Sequence, residues 1–360
     1  MSDFLNNIFG VVNGAIGGWI AGFLPGWIAA GVMALIAVIA AVLYLIVTVM
    51  YQTWAERRVL ARIQDRWGPN RVGKWGILQP FADVLKLLMK EDIRPNAADK
   101  WVFFLAPVFV LVPSVFAYSV IPFGRGMQVA DINVGLLFLI AIGTIPTIGI
   151  VLAGWGSANK YSVLGGMRAA CQMISFEVPL LLALVSPIII IGSLSMVDIV
   201  KAQSNVWFVF VQPVAFLIYL ISGIAEGNRS PFDLPEAESE LIAGFHTEYS
   251  GIRWALFFLA EYINAFTVAA IATTVFLGGW QSPFQWIPGL GSVLAIVPGY
   301  VWFTLKAWVL FVAMIWVRGS LPRIRVDQLM IFNWKVMVPI SLANLVVTGV
   351  GVSLWQYFVG

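Results

Sequence analysis

The sequence predicts an all-α integral membrane protein with eight transmembrane helices, and three observations carry that prediction. Apolar residues make up 60% of the chain and its mean hydropathy is +0.90. Charged residues are only 11%, where soluble domains carry about a quarter. Eight apolar windows recur at 27–50, 101–123, 132–155, 171–194, 206–225, 254–280, 293–317 and 335–357, each of about the 20 residues that cross roughly 30 Å of hydrocarbon as helix. Residues 1–360 read as a single transmembrane domain, with an amphipathic cytoplasmic loop at 51–100 and an acidic cytoplasmic loop at 226–253.

Ahead of the first window, 4–24 is apolar but broken by Gly and Asn, and the first basic residue of the chain is Arg57. A signal peptide needs a basic n-region, so this stretch reads as interfacial. The first loop contains ERRVLARIQDRWGPN. Here Val59, Leu60, Ile63 and Trp67 share one helical face while Arg58, Arg62, Asp65 and Arg66 share another, the pattern of a helix lying in the membrane interface. A second amphipathic stretch, QPFADVLKLLMKED, places Pro80 where a first helical turn tolerates it. These two surface helices either hold lipid or frame a lateral opening for a ligand arriving through the bilayer, and periodicity does not separate the two.

Charge sets the orientation. The loops 51–100, 156–170, 226–253 and 318–335 hold 10, 2, 2 and 4 Lys/Arg, whereas the alternate loops hold only Arg125 and Lys201. By the positive-inside rule the first set is cytoplasmic and both termini lie on the opposite side. The pI near 9 then reflects topology and contact with anionic lipid heads rather than nucleic acid. The single cysteine, Cys171, excludes an internal disulfide and cannot by itself hold an iron–sulfur cluster or a Cys-rich zinc site.

Three carboxylates fall inside the windows. Glu177 lies seven residues into the fourth, Glu226 at the cytoplasmic end of the fifth and Glu261 eight residues into the sixth; with offsets on the order of 10 Å at most, all three sit in the cytoplasmic third of the membrane. An ionisable residue within a span is costly and faces the bundle interior or a wet cavity. Each alone fits either a buried structural partner or proton handling; three at one level favour a carboxylate chain. Lys306, near the middle of the seventh window, either neutralises a buried glutamate or belongs to that chain.

The run EGNRSPFDLPEAESE, 226–240, holds five of the eighteen carboxylates: Glu226, Asp233, Glu236, Glu238 and Glu240. Asp233 and Glu236 fit a helix start before Leu241 and Ile242. Capping does not account for Glu240, because Glu236 and Glu240 are spaced i, i+4, where like charges repel. With Glu248, Arg229 and Arg253 the loop 226–253 carries a net charge of six acids against two bases, and clustered carboxylates titrate as a group.

EGNRSPFDLPEAESELIAGFHTEYSG resembles the signature loop of the H subunit of NADH:quinone oxidoreductase (respiratory complex I), called subunit 1 in its mitochondrial form. AERRVLARIQDRWGPNRVG, KYSVLGGMRAACQMISFEV, LAEY at 259–262 and RGSLPRIRVDQLM at 318–330 resemble its other motifs in the same order, over roughly residues 50 to 335.

That resemblance implies eight transmembrane helices, no redox cofactor on this chain, and a place between the membrane arm and a peripheral arm whose flavin and iron–sulfur clusters deliver electrons. It implies quinone as substrate, and as partners the peripheral quinone-site and iron–sulfur subunits, other membrane-arm subunits and lipids, in the bacterial inner (plasma) membrane. Glu177, Glu226, Asp233, Glu236, Glu238, Glu240, Glu248 and Glu261 match the family's proton-path carboxylates, and Lys306 its intramembrane lysine. Arg57 and Arg66 match arginines where quinone enters. Arg168, Arg229, Phe232 and Arg318 match the quinone chamber or subunit contacts. One departure stands in the third window: where some relatives carry a carboxylate or tyrosine, this chain reads GTIPTIGIV, with Pro146 and Thr147.

Two other classes share features. The equivalent membrane subunit of an energy-converting hydrogenase or another electron-input complex has the same module. A secondary transporter also buries carboxylates near helix breaks, but pairs broken spans in two halves, and no internal repeat is visible.

Overall fold

The computed structural model describes residues 18, 25–235, 238–283, 294 and 296–359. Of the stretch 4–24 only Gly18 is described, so the interfacial expectation lies outside the described residues. The α-helices run in the order α1 (Gly26–Ile63), α2 (Gln79–Met89), α3 (Lys100–Phe116), α4 (Gly135–Gly143), α5 (Ile145–Gly156), α6 (Lys160–Ile191), α7 (Met196–Ala202), α8 (Phe208–Val211), α9 (Pro213–Glu226), α10 (Glu238–Leu241), α11 (Gly251–Phe276), α12 (Gly299–Ser320), α13 (Val326–Phe332) and α14 (Val338–Val359).

Among the described residues, seven helical rods are long and apolar enough to cross a bilayer: α1, α3, α4 continued by α5, α6, α11, α12, and α13 continued by α14. The window 206–225, expected as a full span, is instead a broken element in which α8 ends at Gln212 and Pro213 opens α9. Proline has no N–H and its ring collides with the preceding turn. Such a break is tolerated at membrane depth where protein covers it. Gln212 is buried, and its amide Nε2 donates to Thr348 Oγ1 of α14 at 2.8 Å.

The amphipathic stretch after the first window differs from expectation too. Residues 56–63 are not a separate surface helix but the end of α1, 38 residues and about 57 Å long. The cause is local: between Gly31 and Gly68 the sequence has neither Gly nor Pro, so nothing interrupts the i to i−4 ladder. The second amphipathic stretch is a separate helix, α2, with Pro80 in its first turn as expected.

Two long helices organise the rest. α6 packs on α5, α9 and α14, while α11 packs on α3, α12, α9 and α1. In its most apolar stretch α11 is 61% buried, against 18% for α1 and 17% for the rod ending in α14, so α11 is central and the other two face outward.

Prolines and loops are matched in this bundle. Pro107 and Pro179 each free the carbonyl four residues earlier, and buried backbone acceptors need a partner. Tyr249 donates its hydroxyl hydrogen to the Phe103 carbonyl at 3.2 Å, and Asn333 Nδ2 donates to the Ser175 carbonyl at 2.6 Å. The carbonyl orphaned by one proline thus docks the 244–250 loop, and that orphaned by the other docks α14's leading π turn, Asn333–Met337.

The acidic loop is strapped to the first half of α6. Ser162 donates to the Phe245 carbonyl at 2.9 Å, and the Gln172 amide donates at 2.7 Å to both the Ala225 and Phe232 carbonyls. At Gly165 the two backbones touch: a Cβ there would lie 2.7 Å from the Gly244 Cα, closer than packed atoms approach.

Gly165→Ala is therefore expected to push the 244–250 loop off α6 and destabilise the fold by about 1–3 kcal/mol, as over-packing does elsewhere. Gly349→Ala, where a methyl meets nothing within 4 Å, is expected to be neutral. Thermal melting of the two purified variants checks the pair.

Candidate functional site

Four charged side chains from four parts of the chain meet inside the bundle. Glu56 of α1 is buried and accepts from Arg229 Nη1 at 2.9 Å on one oxygen and from Arg318 Nη1 of α12 on the other. The same Arg229 guanidinium has its Nε 3.5 Å from Glu261 Oε1 of α11. Its flat face lies over Tyr262, 4.4 Å from the ring centroid, and over Phe311 at 5.6 Å, so cation–π attraction supplements the ion pairs. Burial alone would draw the Arg229 proton affinity down; Glu56 and Glu261 more than reverse this and hold it above the ordinary arginine value. Two carboxylates against two guanidiniums leave the cluster electrically balanced.

Glu56, Glu261 and Arg318 of this cluster line a cavity of about 160 Å³ that also touches Glu226, His246 and Asn264. A second cavity, of about 70 Å³, touches Glu177 and Glu226. The two share Pro146, Met173, Glu226, Gly227 and Asn264 as lining residues, so Glu226 stands between them. Neither Glu177 nor Glu226 has an ion pair or a hydrogen bond to its carboxylate among the described residues. Space for Glu226 comes from the third rod, where a Cβ on Gly143 would lie 3.7 Å from its Oε1. In the same rod Thr147 is buried and donates to Met173 Sδ at 3.7 Å; Pro146, and not Thr147, lines both cavities where a carboxylate or tyrosine was at issue. Burial, against Phe245 and Trp254, lowers His246 from the ordinary imidazole value of 6.5 to about 4, which keeps the ring neutral.

Of the carboxylates expected to form a chain, the structure brings Glu177, Glu226 and Glu261 to these cavities, and gives the acids of the loop other partners. Asp233 is buried and accepts from Arg323 Nη2 at 2.8 Å. It lies in irregular backbone ahead of α10. Glu240 accepts from Arg168 at the surface, and Glu248 accepts from Asn159 Nδ2 at 2.6 Å. Glu236 lies outside the described residues, as does the side chain of Glu238.

The remaining candidates separate as well. Lys306 does not neutralise a glutamate: its ammonium donates to the carbonyls of Leu277, Gly279 and Gln281 at 2.7, 3.1 and 2.6 Å and lies 4.2 Å from the Trp207 ring centroid. It caps the C-terminal end of α11, where the helix dipole favours a cation. Arg318, on the same helix, is twelve residues and about 18 Å away. Arg57 pairs with Asp83 of α2 at 2.5 Å, and Arg66 reaches only the neighbouring Gln64 at 2.8 Å. Arg57 stands on the exposed end of α1, and Arg66 in the turn that follows it. Phe232 packs its ring on Phe176, centroids 5.7 Å apart, in a small core under the loop.

Glu56 was not singled out from the sequence. A signal for it exists, because it continues the same unbroken helix as the apolar window 27–50, whereas the charge pattern of ERRVLAR drew attention to the arginines.

Comparison with known proteins follows the same residues. A family model described as NADH dehydrogenase matches residues 35–349. The chain is 52% identical over 314 residues to the NADH-quinone oxidoreductase H subunit of Geobacillus kaustophilus (strain HTA426), covering 87% of this chain and 92% of the relative. It is 51% identical over 316 residues to the NADH-quinone oxidoreductase H subunit numbered 2 of Geobacter sulfurreducens, covering 85% and 92%. The corresponding protein of Anoxybacillus flavithermus (strain DSM 21510 / WK1) is 53% identical over 307 residues, covering 85% and 90%.

Removing one member of a buried ion cluster strands its partners, at about 3–5 kcal/mol. Arg229→Leu, which leaves Glu56 and Glu261 short of one cation, is expected to abolish accumulation of the protein in the membrane. Surface Arg168→Leu is expected to leave it within a factor of about two, in line with the worth of an exposed pair. Quantitative immunoblots of membranes carrying each variant check both.

Proposed function

Because this chain belongs to the NADH dehydrogenase family, we propose that it is the H subunit of a proton-translocating NADH-quinone oxidoreductase, lining the chamber in which quinone is reduced and coupling that reduction to proton movement. The observation that carries this reading is the position of Glu226 between two cavities, one touching Glu56, Glu261 and Arg318 and the other touching Glu177.

Reduction of a quinone to quinol takes up two electrons and two protons. Electrons delivered before protons place negative charge in a poorly hydrated cavity, where Coulomb energies exceed those in water several-fold. The charge balance at Glu56, Arg229, Arg318 and Glu261 then shifts, and carboxylates without a fixed partner are the groups free to answer by taking up protons. Glu226 and Glu177 are of that kind. Glu261, held 3.5 Å from Arg229, links them to the arginine cluster, and neutral His246 lines the same cavity. Lys306, at the other end of its helix, stands apart from this path.

Quinone access is assigned to the exposed face of α1. Arg57 lies there, with Arg66 in the turn just beyond, and an open groove between α1 and α12 is lined by Val59, Ile63, Val312 and Trp316, an apolar bed for an isoprenoid tail with Arg58 and Arg62 at its rim. The electron donors, flavin and iron–sulfur clusters, belong to partner subunits of the peripheral arm, and other membrane-arm subunits receive the rearranged charge. The long charged loops face the cytoplasm of a bacterial cell, with both termini on the outer side of its inner membrane, as the positive-inside rule indicates.

Glutamine keeps the shape and part of the hydrogen bonding of glutamate but does not titrate. In the assembled complex, Glu177→Gln combined with Glu226→Gln is expected to leave subunit levels near normal while quinone reductase turnover and coupled proton pumping each fall at least about ten-fold, the loss typical of a positioned proton-transfer group. Full turnover with full pumping in that double variant is the result that refutes the path.

A further inference from the structure

We propose that the amide of Gln52 holds water inside α1, and that this water extends the polar core around Glu56 and Arg229 away from the cytoplasmic cavity, along the first span. Gln52 is completely buried, and both its Nε2 and its Oε1 are without a hydrogen-bond partner among the described residues. Buried polar atoms in folded proteins are almost always paired, with protein or with ordered water, and a carboxamide left unpaired carries its full desolvation penalty.

The position of this residue argues for a purpose. Thr48, Gln52 and Glu56 are all buried and follow one another at i, i+4 spacing, so they stack on one face of a helix whose other residues at this depth are mostly apolar. Thr48 satisfies itself by donating to the Tyr44 carbonyl at 2.7 Å, and Glu56 is satisfied by its two arginines. The one member between them has nothing. Four residues, about 6 Å of helix rise, separate it from Glu56.

On the partner of Glu56 further groups are in the same state among the described residues. Arg229 gives Nη1 to Glu56, yet its Nη2 is buried without a hydrogen-bond partner, as is Oδ1 of Asn228 beside it. Gln52 Nε2 and Arg229 Nη2 are donors; Gln52 Oε1 and Asn228 Oδ1 are acceptors. Water both donates and accepts and is stable inside a protein with two to four such partners. It also fits the charge. Two carboxylates and two guanidiniums already cancel at this cluster, and a bound cation or anion would unbalance it, whereas neutral water does not. Supply is at hand, since the cavity against Glu56 is about 160 Å³, many times the roughly 10–15 Å³ that one water needs. The inference goes beyond the functional reading above, because it concerns the hydration of α1 and stands whether or not Glu226 and Glu177 carry protons.

A density map of the assembled complex, at a resolution that shows ordered water, decides it. Density within hydrogen-bonding distance of both Gln52 amide atoms is expected. A map without it, or one in which both ends of the amide reach protein groups, overturns the proposal. In Gln52→Leu, of similar size and apolar, that density is expected to vanish while the Glu56–Arg229 pair remains; density that survives the change overturns the assignment to Gln52. Should the variant not assemble, the native map alone still separates the two outcomes.

Discussion

The bond between Arg229 and Glu56 is the contact on which the rest of the site depends. A guanidinium from the acidic loop enters a bundle of apolar helices and is accepted there by a carboxylate from α1, with Glu261 of α11 on its flank and Arg318 of α12 on the far oxygen of Glu56. None of these charges is tolerable alone at this depth. Together they hold the loop and three helices in one register, and the loop in turn ends the broken span at Glu226. A buried ion cluster of this kind is weak evidence for net stability. Its worth is positional, since it sets an arginine and two carboxylates where charge created nearby acts on all of them.

Around that contact the protein sorts its carboxylates into two sets. Asp233, Glu240 and Glu248 are spoken for by Arg323, Arg168 and Asn159 and fasten the loop to its surroundings. Glu177 and Glu226 open on cavities instead. The sorting follows from where the backbone puts them. The first set sits on the loop, within reach of Arg168, Arg323 and Asn159; the second sits on helices beside Gly143, Pro146 and Met173, and among the described residues no basic side chain lines the cavity that Glu177 and Glu226 share.

Much of the fold was legible from hydropathy alone, because a 20-residue apolar run has few alternatives in a bilayer. The failures have particular causes. The window 206–225 hid the break at Pro213, since a hydropathy average does not register a missing N–H. The surface-helix pattern at 56–67 was amphipathic as read, but no Gly or Pro separates its first half from the apolar window, so residues 56–63 continue the span and the chain turns only after Ile63. In the site, depth along each helix brought Glu177, Glu226 and Glu261 together, whereas the partners of Asp233 and Lys306 depended on contacts between segments some 90 and 27 residues apart in the chain. Family resemblance supplied Arg229 and Arg318. Glu56 escaped because the residues around it are basic, and Gln52 because an uncharged side chain in an apolar run carries no signal until its surroundings are known.

The proposed coupling of quinone chemistry to Glu226 is tested most directly by infrared difference spectroscopy of the assembled complex, comparing the quinone-oxidised and quinone-reduced states. A protonated-carboxyl band that appears on reduction, shifts in deuterium oxide and is missing from Glu226→Gln is the predicted result. An identical difference spectrum in the native complex and in Glu226→Gln would contradict it, because the carboxylate standing between the two cavities would then take no part in answering the charge.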